Sequence, residues 1–374
     1  MCTFRNQEDE ANLNLIRENL RLIQNKQQVK KRKDDIEIQK LVQNRFSWLP
    51  KANTVSNVFI TPASHDAIVQ NFNAKNSSLV FVHQPRGAGS HVTSCMNSIS
   101  IEKRHSLSPV MNLQNRLLWD SSSVENRQHQ EAVQLHRGPF AFGLCENLNR
   151  KCAYFTIFRD PFDTLVSLFT HCKANRNDDL CKEKSASNST LYDWVFENAG
   201  VLFHRLLFSS EHCKYNHNSS DSTNVNIDSC NNHHRNRFEM LSTNTEKIHL
   251  ATYIKSHLHK WFAAIGLFNE IENSMLIFER AFEHPFSRCK SRDKSSFYEN
   301  SLVSNNAHFE RVRSDEDVYN YDDDEEEDFI DEIQTVKEDI NIQNALKYDY
   351  IIYNEAKRLY HIQKQVLYNK LGNT

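Results

Sequence analysis

Residues Ser78 to His91 read SLVFVHQPRGAGSH, and the rest of the chain is organised around them. Leu79, Val80, Phe81 and Val82 form an unbroken apolar run, the pattern of a strand buried on both faces of a sheet. The run gives way to Pro85-Arg86-Gly87-Ala88-Gly89-Ser90, after which Val92 to Ile99 can continue as a helix. Strand, small-residue loop and helix N-terminus together point backbone N–H groups at a phosphate. The chain has 7 glycines, and two of them fall within Gly87-Ala88-Gly89. Glycine is placed this selectively where a backbone turns tightly or approaches a ligand closely. The loop lacks the Lys-Ser/Thr pair of the nucleotidase pattern GxxxxGK[ST], so ATP or GTP hydrolysis is a poor reading. An ordinary strand–turn–helix without a ligand fits the loop equally well, and a second stretch has to decide.

Tyr154 to Phe158 (YFTIF) is that stretch, rich in β-branched and aromatic residues. It runs into Arg159-Asp160-Pro161, where Asp160 is a good N-cap and Pro161 a good first helical residue. Arg159 thus stands at the carboxyl end of a strand, where open α/β sheets bind ligands. Ser167 lies eight residues later, about two helical turns on. An arginine fork and a serine hydroxyl can hold one phosphate between them. A strand–loop–helix site plus a strand-end Arg/Ser site implies a ligand with two separated phosphates.

The remaining order supports a sheet covered on both faces. After a helix over 7–47, with Leu13, Ile16, Leu20 and Ile23 as a short heptad seam broken by Lys30-Lys31-Arg32-Lys33, Trp48-Leu49-Pro50 ends the N-terminal segment. That helix serves as a stem or dimerising element, or as a solvated extension. Residues 102–130 read as irregular, and 133–143 as a short strand or two with a turn at Gly138-Pro139. An amphipathic helix follows over 191–208, with Trp194, Val195, Leu202, Leu206 and Leu207 as its buried stripe. Helix 246–260, strand 262–267 (FAAIGL), helix 270–282 and a long helix over about 336–370 complete the alternation. Polar insertions lie at about 209–243 and 284–328. The histidines of the first (His212, His217, His233 and His234) read as solvated, and the run Asp322 to Asp328 of the second as disordered, because seven adjacent carboxylates repel. The expectation is an α/β fold with a mostly parallel sheet flanked by helices, an N-terminal helical extension over 1–50, and a main domain over 76–370.

A net charge of −3 gives no reason to expect a nucleic-acid partner. Mean hydropathy is low, at −0.67, and the chain has no run long and apolar enough for a transmembrane helix or a signal peptide. Read literally, that makes the chain cytoplasmic. Against it stand three glycosylation sequons, at Asn76, Asn188 and Asn218, and nine cysteines. Cys145 with Cys152, Cys172 with Cys181 and Cys213 with Cys230 are spaced for local disulfides in an oxidising compartment. A lumenal location, with a membrane anchor absent from this chain, reconciles both sets of signs. No CxxC pair occurs, and no metal is expected.

LVFVHQPRGAGS resembles the 5′-phosphosulfate loop of Golgi-type carbohydrate sulfotransferases, which often reads His-x-Pro-Lys-Thr-Gly-Gly-Thr-Ser after an apolar strand. FTIFRDPFDTLVSLF is similar to their 3′-phosphate motif, Arg-Asp-Pro followed by Ser. GLFNEIENSMLIFERAF and ALKYDYIIYNEAKRLY also resemble the family's closing strand–helix and last helix, so the likeness spans roughly 76–370 outside the insertions. It implies a P-loop NTPase-like sulfotransferase fold. It also implies transfer of a sulfuryl group from 3′-phosphoadenylyl sulfate (PAPS) to a hydroxyl of a glycan in the Golgi lumen. By position, Arg86 takes the family's lysine place against the leaving phosphate, and Gly87, Ala88, Gly89 and Ser90 hold the 5′-phosphate. Arg159 and Ser167 hold the 3′-phosphate. The chain departs from the family at Arg86 for lysine, at Gly-Ala-Gly for Thr-Gly-Gly and at His91 for the last serine, which puts turnover in question more than binding.

A hydroxyl attacking sulfur benefits from a base with a pKa near neutral. His136, before the Gly-Pro turn, is the first candidate, because related enzymes often carry an active-site histidine between the two motifs. His83 and His91 follow, then Glu146 and Glu270. A catalytically inactive relative that binds nucleotide or glycan is the alternative. A metabolite kinase would need a Walker-type hydroxyl and a strand-end Asp for Mg²⁺, and neither is found.

Overall fold

The computed structural model describes residues 17–30, 32–34, 36, 37, 40, 55–60, 72, 73, 76–121, 132–148, 150–175, 181, 186–206, 244–289 and 323–371. The chain divides into two compact units, Met1–Leu49 and Pro50–Thr374. In the first, residues 17–30 are helical, and Leu20 and Ile23 of the expected seam are exposed. Leu13 and Ile16 lie outside the described residues.

Among the described residues the second unit is built on five parallel strands in the order β2-β3-β1-β4-β5. They are β1 (Ser78–Val82), β2 (Leu107–Val110), β3 (Leu135–Gly138), β4 (Cys152–Phe158) and β5 (Phe262–Leu267). Every residue of β1, β3, β4 and β5 is buried, which is why β1, β4 and β5 read as largely apolar runs rather than as alternation, while the buried β3 carries His136 and Arg137. The helices are α1 (Gly89–Lys103), α2 (Leu113–Ser121), α3 (Pro161–Ala174), α4 (Leu191–Asn198), α5 (Val201–Leu206), α6 (Asn244–Trp261), α7 (Ile271–Phe282), α8 (Asp323–Glu338) and α9 (Ile340–Leu371).

Period-2 alternation sends neighbouring β4 residues to opposite faces. Phe155 packs against Phe81, Phe278, Phe282 and Phe286 with ring centroids 4.9–5.5 Å apart. On the other face Tyr154 meets Phe142 and Phe262, with Trp261 against Phe142. Each such ring removed from water stabilises the fold by about 1.5–3 kcal/mol, so the two clusters fix the helices on the sheet.

Both sheet edges are managed. On β5, Gln363 of α9 accepts from Ile265 N (3.0 Å) and donates to Ile265 O (2.6 Å), so an amide side chain stands in for a sixth strand. Val58 N adds a bond to Ala263 O at 2.9 Å. The other edge, β2, has only four residues and carries Pro109.

Several expectations need correction. The stretch 102–130 is not irregular throughout, since it contributes β2 and α2. Its apolar positions are too few for periodicity to show, but Arg116, buried in α2, donates to Phe140 O and Phe142 O and so ties α2 to the loop after β3. The helix expected over 191–208 is two helices, broken at Gly200, whose φ of +92° no regular helix accepts. The long final helix is one helix, α9, and starts at Ile340 rather than near 336, because Asp339 stops the separate helix α8 and caps α9, accepting from Asn341 N and Ile342 N. The acidic run from Asp323 forms the first turns of α8 rather than a disordered segment.

Residues 284–289 belong to the core rather than to an insertion: Phe286 is fully buried and Cys289 bonds Cys95 of α1. Disulfides Cys145–Cys152 and Cys172–Cys181 form between the expected neighbours. Cys213, Cys230, Leu207 and the insertion 209–243 with its histidines lie outside the described residues. Three disulfides among the described residues point to an oxidising, lumenal or extracellular environment. Among the described residues no helix is long and apolar enough to cross a membrane.

Candidate functional site

The sheet order defines where a ligand can enter. From β1 the chain leaves through α1 towards β2, and from β4 it leaves through α3 on the way to β5, on the other side. The carboxyl ends of β1 and β4 therefore flank a topological switch point, the place where open parallel sheets bind ligands. The loop after β1 carries Arg86, and the residue after β4 is Arg159.

The β1 loop is shaped by three backbone demands. Arg86 and Ala88 both occupy the left-handed region, with φ of 52° and 58°. A non-glycine residue costs about 1–3 kcal/mol there, strain that persists only where the surroundings impose it. A Cβ on Gly87 would lie 2.9 Å from Ile157 O, so the loop lies against β4 at that point. A Cβ on Gly89 would lie 1.7 Å from His83 Nε2, so the imidazole occupies the space that a side chain would need.

Helix α1 begins at Gly89 with no side-chain cap and no acid in its first turn. Its first N–H groups point out of the helix end without that customary satisfaction, which favours an anion. Helix α3 is the opposite case. Asp160 accepts from Phe162 N and Asp163 N, and Tyr350 of α9 donates to the same Oδ1 at 3.0 Å. The α3 terminus is closed, and its contribution to the site comes from side chains.

Those side chains meet the β1 loop directly. Arg86 Nε donates to Ser167 Oγ at 2.9 Å, across 81 residues of sequence, and Arg159 Nη1 donates to Arg86 O at 3.3 Å. The Arg159 guanidinium lies 4.5 Å above the Phe268 ring, at the end of β5, and is largely buried. Burial brings its pKa down to about 10. Asp163 opposes that shift and the Arg86 charge adds to it, so Arg159 stays cationic at neutral pH. Two guanidinium groups held this close repel one another, and a bound anion would relieve the repulsion. The two motifs expected to bind phosphate thus form one cluster, with Ser90 exposed and His91 half-buried in the first turn of α1.

The first candidate base sits elsewhere. His136 is in the interior of β3, paired with Val80, two residues short of the β1 terminus. It is fully buried, edge-on to Trp119 of α2 at 5.3 Å, with Nε2 3.2 Å from Val133 O. Burial lowers its pKa to about 4. Its neighbour Arg137 points to the other face and bonds Thr93 O and Asn97 of α1. The expectation that His136 faces an acceptor is corrected by strand alternation, which turns it under α2.

Glu146 is exposed on the turn that the Cys145–Cys152 bridge pins to the start of β4, away from the carboxyl edge. Glu270 accepts from Lys364, Asn273 and Tyr360; although burial opposes it, these bonds hold its pKa below the usual carboxylate value, which suits a tether between β5 and α9 rather than a base. His83 and His91 are the histidines left at the loop. The His83 ring stacks on Phe81 at 5.9 Å, and burial lowers the His91 pKa while a bond to the Cys289 backbone opposes that shift.

Three residues at the site were not legible in the sequence. Gln84 is buried at 1 % exposure with neither amide atom hydrogen-bonded, and no spacing rule marks a buried glutamine. Phe268 and Tyr350 reach the Arg159 cluster from β5 and α9, which only the tertiary fold brings near. Among the described residues no group of three or more His, Cys, Asp or Glu side chains could hold a metal ion. Compared with known proteins, the chain matches no protein-family model and no curated protein sequence.

Proposed function

We propose that the protein is a sulfotransferase that moves a sulfuryl group from PAPS to a hydroxyl of a carbohydrate acceptor in the Golgi lumen. The observation that carries this reading is the contact of Arg86 with Ser167, beside Arg159, across the switch point between β1 and β4. It joins an uncapped helix N-terminus and a buried arginine into one cationic surface suited to a nucleotide with separated phosphates. In this reading Gly87, Ala88, Gly89 and Ser90 offer the 5′-phosphate the loop's N–H groups, and His91 lies beside them in the first turn of α1. Arg159 and Ser167 hold the 3′-phosphate. Arg86 neutralises charge that develops on the leaving phosphate, an electrostatic contribution that needs no metal. The base is His91 or His83, because both stand at the loop while His136 does not. A lowered pKa keeps His91 neutral and able to accept the acceptor's proton near pH 7.

The test is binding and turnover together. 3′-Phosphoadenosine 5′-phosphate should raise the melting temperature, and Arg159→Ala should abolish that shift. Intact protein that shows no shift would overturn the reading. Labelled donor should then deliver sulfate to a member of a panel of glycosaminoglycans and galactosides, with His91→Ala lowering the rate at least tenfold while the melting shift persists. The burial of His136 favours a second reading, a nucleotide- or glycan-binding relative without turnover. Binding of the nucleotide with no transfer to any acceptor would select it.

A further inference from the structure

The β1 strand begins on a sequon, Asn76-Ser77-Ser78, and a second, Asn188-Ser189-Thr190, leads into α4. Both asparagines are exposed, and three disulfides already point to the compartment in which such sequons are read. Their third residues differ. Ser78 is fully buried as the first residue of a central strand, its Oγ donating to Val133 O at 3.1 Å and its N to Lys151 O at 2.8 Å. Thr190 is exposed at the N-terminus of α4, where its Oγ accepts from Asp193 N and donates to Asp193 Oδ2. A helix end on the surface opens locally at little cost, whereas a central strand opens only with the whole sheet.

We propose that Asn76 and Asn188 are N-glycosylation sites, and that Asn76 is modified only before β1 joins the sheet whereas Asn188 remains a substrate in the folded chain. In each case the asparagine amide nitrogen bonds to the anomeric carbon of an oligosaccharide carried on a lipid pyrophosphate. The bond from that carbon to the pyrophosphate oxygen breaks, the lipid pyrophosphate leaves with the electron pair, and the amide proton passes to a base of the transferring enzyme. Nothing is oxidised or reduced. A glycan on Asn76 sits at the amino end of β1, so about 16 Å of strand separates it from the anion loop at the other end. The Asn76 glycan therefore does not compete with the ligand of the switch point.

The inference rests on the oxidising-compartment reading and not on the sulfotransferase reading. Its test is peptide mass spectrometry of the full chain made in a eukaryotic secretory pathway, with thiol state measured on the same sample. Glycan on the Asn76 and Asn188 peptides, each lost in Asn76→Gln or Asn188→Gln, is the expected result. Folded, unglycosylated chain given the oligosaccharide-transferring enzyme and its lipid-linked donor should then gain glycan at Asn188 and none at Asn76. Unmodified asparagines in a chain with its disulfides formed would overturn the assignment. Unmodified asparagines with free thiols would overturn the compartment and the assignment with it. Equal modification of both sites in the folded chain would overturn the ordering.

Discussion

Gly89 carries the tightest steric demand in the β1 loop, because a methyl group there would fall 1.7 Å from the His83 ring. Gly89→Ala should therefore expel the imidazole from its place over Phe81 and destabilise the protein by about 1–3 kcal/mol in urea unfolding. Adding His83→Ala should recover most of that loss, since the three atoms nearest to that methyl group all belong to the His83 ring. A double variant as unstable as Gly89→Ala would show that the loop backbone, not the ring, sets the requirement. The Arg86–Ser167 bond makes a companion prediction. Arg86→Lys removes the fork donor from which Ser167 accepts, so nucleotide binding should weaken about two- to tenfold, by the roughly 0.5–1.5 kcal/mol that one such bond contributes, in a calorimetric titration. Unchanged affinity would mean that the bond is released when the nucleotide binds.

At the scale of elements, the disulfides differ in what they tie. Cys145–Cys152 and Cys172–Cys181 close loops of 7 and 9 residues, whereas Cys95–Cys289 spans 194 and joins α1 to the segment after α7. Chain-entropy arguments give about 2.5 kcal/mol for closing the short loops and about 5 kcal/mol for the long one. The pair Cys95→Ser with Cys289→Ser should thus lower stability about twice as much as Cys145→Ser with Cys152→Ser, by denaturant midpoint. Because His91 hydrogen-bonds the Cys289 backbone, the first pair should also weaken nucleotide binding and the second should not. The two short bridges follow from spacing in the sequence. The long one does not, since nothing local marks Cys95 and Cys289 as neighbours, and only the packing of Phe286 among Phe155, Phe278 and Phe282 brings them together.

Across the whole molecule, buried ionisable groups set opposing pH dependences. His136 and His284 are held neutral, chiefly by burial, with pKa values brought from 6.5 to about 4. For each, the unfolded chain takes up a proton first as pH falls below 6.5, so stability is present above that value and is lost towards pH 4. Asp349 of α9 works the other way. Fully buried and accepting from Gly200 N and Leu202 N, it is pushed up from 3.8 to about 7, mainly by desolvation. Its contribution is present at low pH and is lost as pH rises from 3.8 through 7. Between pH 4.5 and 6.5, His284→Gln should flatten the rise of stability with pH by about one proton, while Asp349→Asn should steepen it by about one, in urea midpoints taken along a pH series. Parallel curves for all three proteins would remove these groups from the account.

The sequence by itself determined the elements that are fully buried or sharply punctuated. The runs at 79–82, 154–158 and 262–267 have no polar alternation to confuse their period, and Asp160-Pro161 states a helix start in two residues. It also determined that Arg86 lies in the loop between a strand and a helix, Arg159 at a strand end and Ser167 about two turns into the helix that follows, because loop chemistry and strand length locate those places locally. Only the tertiary structure decided that these three side chains touch, since that depends on β1 and β4 being neighbours in a sheet whose order no local signal encodes. The same holds for His136: its chemistry is plain in the sequence, but the face of β3 on which it falls is fixed by register against β1, and that register turns it under Trp119. Short-range physics writes the elements and their caps, whereas the neighbours of a buried side chain are chosen by packing among segments tens to hundreds of residues apart.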